Sequence, residues 1–181
     1  MDELAILTEC YADTNLIETL VPPVKGYNHQ HNCVKVALVM QNKYADGFAL
    51  GIIDKDKKGI AYLSEFECIV SSDTVLLHKH KIRNHYIIQL SPAVEGFILK
   101  AARSLNISLD TLNLSDDLER LKYITKRQDS KRNPVLKKAI KQLSGAPNMQ
   151  IIKEWIEYLK LNPYSADVTY LKSIFCSHYD D

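Results

Sequence analysis

Apolar residues fall into two regimes along the chain. As far as Leu90 they come in short unbroken runs, and beyond it they recur every three or four positions. Runs of strand length that are apolar on both faces suit parallel strands covered by helices on each side. Recurrence at three and four residues marks amphipathic helices. The order of the two regimes therefore predicts an α/β core over residues 1–105 and a helical C-terminal region over 106–181, packed on that core.

Within the core, Leu4–Thr8 reads as a first strand, followed by a helix carrying Leu16, Ile17 and Leu20. Asp13 or Thr14 can cap that helix, and Val21-Pro22-Pro23 ends it. After a polar segment, Lys25–Asn32, the stretch Cys33–Tyr44 reads as a helix with Val36, Ala37, Met40 and Tyr44 on one face. A strand over Val34–Met40 is the alternative. Phe48–Ile53 predicts a central parallel strand, ending abruptly in Asp54-Lys55-Asp56-Lys57-Lys58-Gly59. Val75–His80 and Tyr86–Leu90 predict two further strands, and Ser91-Pro92 opens a helix over Ala93–Leu105. Four helices follow: one capped by Ser115-Asp116-Asp117, one from Asn133-Pro134 to Gly145, one over Asn148–Leu161 and a short one over Ser165–Phe175. No internal repeat is evident.

Composition adds mainly exclusions. The 181 residues, 46% hydrophobic and 25% charged, have ordinary globular usage, which argues against disorder. No apolar run approaches the ~20 residues of a membrane span, and Met1-Asp2-Glu3 is acidic rather than basic. Both point to a cytoplasmic protein with no membrane partner. Cys10, Cys33, Cys68 and Cys176 form no paired spacing, so free thiols in a reducing compartment are expected. His29-Gln30-His31 and His78-Lys79-His80 alternate as a strand-borne metal pair would, but neither has the spacing of a zinc helix. Surface histidines are the plainer reading.

The candidate chemistry lies in the acids. Asp54 and Asp56 stand at the carboxyl end of a buried strand, where ligands of open α/β sheets sit. Two carboxylates so close repel each other and are costly to desolvate, a cost that Mg²⁺ offsets. The Lys-rich surroundings also allow a plain solvated turn. Glu9 occupies the same topological place after the first strand, and Asp13 follows one helical turn later. Parallel strands would open both ends onto one edge, although capping explains Glu9 and Asp13 equally well.

These residues carry a resemblance. Glu9-Cys10-Tyr11-Ala12-Asp13 resembles the E-G-x-x-D opening of the Toprim domain, and Asp54-Lys55-Asp56-Lys57-Lys58-Gly59 matches its D-x-D-x-x-G. Ser91–Leu99 resembles the P-x-x-E-x-x-[IL] helix of small Toprim-like families, with Glu95 in its first turn. Such domains occur in topoisomerases, primases, overcoming-lysogenization-defect nucleases and small proteins near bacterial phage-defence genes. The likeness spans about residues 4–100 and implies a Toprim-like open, mainly parallel sheet flanked by helices. It implies a Mg²⁺- (or Mn²⁺-) dependent nuclease in which Glu9, Asp54, Asp56 and Glu95 are catalytic and Glu9, Asp13, Asp54 and Asp56 hold the metal. Cys10 departs from the family's Gly, and no tyrosine is marked for strand passage.

Between Arg120 and Lys141 the chain has nine Lys or Arg and one acid, Asp129. Lys126, Arg127, Lys131, Arg132, Lys137 and Lys138 are therefore candidate phosphate-backbone contacts, against the alternative of a solvated helical face. DNA and RNA are equally compatible. A second functional class is a non-catalytic Toprim-like module acting with a partner such as an ATPase. A nucleotide-sugar transferase also uses DxD but needs a longer chain, and a haloacid-dehalogenase phosphatase requires Thr or Val where Lys58 stands.

Overall fold

Strand periodicity accounts for the centre of the molecule. A computed structural model describes residues 2–55 and 60–179. In it Ala49–Asp54 forms β3, buried along its whole length. It is flanked on one side by β1 (Ile6–Thr8) and on the other by β6 (His85–Leu90), both parallel to it. A two-residue strand β2 (Asn28–His29) extends the parallel part beyond β1. Beyond β6, β5 (Val75–His80) and β4 (Phe66–Ser71) continue the sheet antiparallel. The strand order is β2-β1-β3-β6-β5-β4. The sheet is thus open and mixed, its acidic half parallel and its far half a meander.

Successive side chains point to opposite faces, and both faces are covered. Ile6, Leu50, Ile52 and Ile88 join one hydrophobic cluster, whereas Leu7, Ala49, Ile53 and Ile87 join the other. The second face is covered by α2 (Cys33–Asn42), through Val36, Ala37 and Met40. Its helical state decides between the two readings of Val34–Met40: Asn32 caps it by accepting from the Lys35 N–H at 2.9 Å. The first face receives α1 (Tyr11–Leu20) and α3 (Val94–Ser104).

The C-terminal helices α4 (Leu118–Thr125), α5 (Pro134–Leu143), α6 (Pro147–Leu161) and α7 (Val168–Cys176) close over that same face. Leu121, Leu136, Ile140, Ile152 and Trp155 share one cluster with Ile52, Ile88 and Phe97. Trp155 also donates its indole N–H to the Leu171 carbonyl at 2.8 Å, tying α6 to α7. No helix among the described residues is long and apolar enough to cross a membrane.

Several local readings change. Leu4 and Ala5 lie in a 3-10 turn, Glu3–Ala5, because Asp2 caps it by accepting from the Leu4 N–H; the first strand starts only at Ile6. The first helix begins at Tyr11 with Cys10 as its cap, five residues before its first apolar repeat. Strand β4 escapes the apolar pattern because it is an edge: Glu67 and Cys68 face solvent and a bulge between Cys68 and Val70 interrupts its register. Pro92 precedes α3 rather than forming its first turn.

Gly51 sets the spacing between β3 and α2. A Cβ there would lie 3.0 Å from Val36 Cγ1 and 3.1 Å from Met40 Sδ. Gly51→Ala gains ~0.4–1 kcal/mol from a stiffer unfolded chain, but overpacking costs ~1–3 kcal/mol. Urea unfolding should show a net loss of about 1–2 kcal/mol.

Candidate active site

The parallel register brings the acids together. Thr8 pairs with Ile52, and the ladder runs one residue further because the Glu9 N–H donates to the Ile52 carbonyl at 3.0 Å. Glu9 is thereby held beside the end of β3, and its Oε2 accepts the Asp54 N–H at 3.1 Å. Asp54 Oδ1 in turn accepts the Val94 N–H, the first of α3, at 3.1 Å. That N–H has no partner within its helix and Ala93 offers no side-chain cap, so the Asp54 carboxylate serves as one from a neighbouring strand. The positive end of the α3 dipole lies against the same carboxylate. The α1 N-terminus starts two residues after Glu9.

Asp13 completes a capping box. Its Oδ2 accepts the Cys10 N–H at 3.0 Å while the Asp13 N–H points to Cys10 Sγ at 3.3 Å. The sequence reading of Asp13 as cap is thus displaced by three residues: Cys10 is the cap and Asp13 its reciprocal partner. Asp13 Oδ1 is buried with no hydrogen-bond partner among the described residues. Burial first, and then repulsion from Glu9 and Glu95, push the Asp13 carboxyl up to about 7, against the pull of its bonds to Cys10. Burial and the neighbouring Asp13 also push the Cys10 thiol up, so it remains protonated. In the first turn of α3, Glu95 is buried and accepts the hydroxyl of Thr125 on α4.

Glu9, Asp13, Asp54 and Glu95 therefore share one buried neighbourhood. Asp56 lies outside the described residues. Among the described residues, no three His, Cys, Asp or Glu side chains are arranged to hold a metal ion between them. Their present positions are set instead by bonds to Asp54 N, Val94 N, Cys10 N and Thr125.

Above the acids opens a cleft of about 390 Å³, lined on one side by Tyr11, His29 and His31 and on the other by Glu95, Lys122 and Lys126. Strand β2 brings the histidines here: His29 pairs with Thr8, one residue before Glu9. The Tyr11 and His29 rings stack at 3.9 Å with 12° between planes, and His31 meets His29 edge-on at 4.7 Å. Burial, followed by the charges of His31 and Lys131, depresses His29 to about 4, so its ring is neutral at pH 7.

The basic stretch is partly paired with acids. Arg127 is bidentate to Asp129, Lys131 lies 3.7 Å from Glu18 and Lys122 pairs with Glu119 at 2.8 Å. Arg132, Lys137 and Lys138 are exposed, and none of the three lines the cleft. Only Lys126 among the six predicted contacts does, joined by Lys122. The segment is anchored from below: buried Asn15 on α1 donates to the carbonyls of Ser130 and Asn133, at 2.7 and 3.2 Å.

Tyr11, His29, Lys122 and Thr125 escaped the sequence reading. For the histidines the signal existed in the His-x-His alternation, but its meaning depended on β2, which two polar residues form. For Thr125 there was none. No family model, curated protein or solved structure matches the chain, so the site is interpreted from its own geometry.

Two measurements follow. Asp13 titrates at about 7 in the fold against 3.8 in the unfolded chain. Its contribution to stability is full below the lower value and is lost as pH rises through the upper one. Asp13→Asn should remove that decline, so urea midpoints of the variant should change less than wild type between about pH 5 and pH 8. Asn15→Ala removes two hydrogen bonds to carbonyls that keep only their backbone donors, the N–H groups of Asn133 and Lys137, and should cost ~1–3 kcal/mol for the pair, with faster amide exchange over residues 126–133.

Proposed function

We propose that the protein is a Toprim-like, Mg²⁺-dependent phosphodiesterase, most simply a nuclease, centred on Glu9, Asp54 and Asp56. The observation that carries this reading is the hydrogen bond from the Asp54 N–H to Glu9 Oε2, 3.1 Å long. Two acids 45 residues apart in sequence meet at one sheet edge in the order the motifs require.

The donor set fits a hard divalent cation. Its oxygens are carboxylate, and Asp13 Oδ1 is buried without a hydrogen-bond partner. Burial raises the Asp13 carboxyl, and repulsion from Glu9 and Glu95 adds to that rise. Mg²⁺ needs only one or two carboxylates, with water and phosphate completing its shell. Glu9, Asp54 and Asp56 would hold it, and Asp13 lies close to Glu9. When bound, the ion screens the phosphate and lowers the pKa of a coordinated water.

The chain's own groups supply the rest. Glu9 takes a proton from the water as its oxygen bonds to phosphorus, the P–O bond to the leaving oxygen breaks, and that oxygen takes up a proton from solvent. The α3 N-terminus holds Asp54 in place, and the Thr125 hydroxyl holds Glu95 at the mouth of the same cleft. Lys122 and Lys126, on either side of Thr125 in the chain, attract the phosphate backbone beside Glu95. Cytoplasmic location and a role beside defence proteins belong to the same reading.

The test is cleavage of mixed single- and double-stranded DNA and RNA with Mg²⁺ or Mn²⁺. Wild type should cleave, while Asp54→Asn and Glu9→Gln should each lose at least ~10²-fold. Mg²⁺ should also raise the Tm of wild type but not of Asp54→Asn, and by more at about pH 8.5 than at about pH 5.5, where Asp13 is protonated. Cys10 in place of the motif's Gly favours one second reading, an accessory module that binds a partner such as an ATPase. Nucleic-acid binding without cleavage in either metal would select it.

A further inference from the structure

The cleft is walled by rings, which backbone-phosphate chemistry does not require. Tyr11, His29 and His31 form a contiguous aromatic edge, two of them stacked and the third set perpendicular. Across about 390 Å³ of open space lie Lys122 and Lys126. Cations and aromatic rings lining one cleft form the arrangement by which proteins hold unpaired nucleotides: the charges follow the backbone and the rings receive the bases.

Resting on the phosphodiesterase reading, we infer that the cleft takes a single-stranded segment or end of nucleic acid, one unpaired base lying against the Tyr11–His29–His31 wall. Three further features support it. The volume lies within the range of small-ligand pockets, which bury a ligand of nucleotide size but not a double helix. In a duplex every base is already stacked on its neighbours and offers no free face to the wall. His29 is neutral, so its ring and that of Tyr11 attract by stacking rather than charge, which gives little sequence preference. The phosphate of a base so held lies between the wall and the lysines, on the side where Asp54 and Glu95 line the same cleft.

The experiment measures binding with EDTA present, so that cleavage plays no part. Fluorescence anisotropy would compare an end-labelled thymidine oligonucleotide, its RNA counterpart and a blunt duplex of equal length. Wild type should bind at least one single strand ~10-fold more tightly than the duplex. Tyr11→Leu should weaken single-strand binding ~10-fold, a change within the range of one lost stacked base, whereas Tyr11→Phe should keep it. His29→Ala provides a second variant on a different element, and thermal melts verify that each is folded. Equal or tighter duplex binding, unaltered affinity of folded Tyr11→Leu and His29→Ala, or no binding at all would overturn the inference. Cleavage of duplex by wild type beside any of these results would leave the phosphodiesterase reading standing. Stacking-dependent binding with no cleavage in Mg²⁺ or Mn²⁺ would do the reverse.

Discussion

The parallel pairing of β1 with β3 is the constraint on which the rest depends. It aligns the last residues of two strands, so that Glu9 and Asp54 leave the sheet at adjacent points on the same edge. Antiparallel pairing would send them to opposite edges. Both strands are buried on both faces, and sliding either by one residue would exchange its two sets of apolar side chains between the two cores. The register of the acids is therefore fixed by hydrophobic packing far from them. No local interaction among the carboxylates could do this, since they repel one another.

That repulsion is tolerated because backbone N–H groups are aimed at it. Val94 N–H meets Asp54, Asp54 N–H meets Glu9, and Cys10 N–H meets Asp13. Each is a donor at a strand end or helix start that regular structure leaves unused. Placing the acids at helix N-termini thus serves two needs at once: the helices gain caps and the carboxylates gain donors. Asp13, the most enclosed by acidic neighbours, lies at the limit of this compensation and retains its proton near neutrality.

The parallel strands were legible because burial on both faces writes itself as continuous runs such as Ala49–Ile53. The helices were legible from their caps, Asp117 and Asn133 above all. Glu9 and Asp54 could be named from sequence because each terminates an apolar run. What stayed hidden depended on tertiary partners. Strand β4 is half-exposed, and β2 consists of two polar residues whose strand state comes only from pairing with β1. The cleft wall depends on β2 and was invisible with it. The partners of the basic stretch were hidden too: a linear count cannot register that Asp129 and Glu18 pair with Arg127 and Lys131.

The tie from Asn15 to Ser130 and Asn133 has an effect on the order in which the cleft comes into being. It joins residues 115 positions apart in the chain, whereas the Glu95–Thr125 bond joins the core to α4 across only 30. During synthesis the strands bearing Glu9 and Asp54 have emerged well before the segment that fastens to Asn15. The acids can thus be assembled as an open surface, with the cationic rim added afterwards. The enclosed cleft is complete only once the C-terminal helices are in place, although Glu9 and Asp54 lie in the first third of the polypeptide.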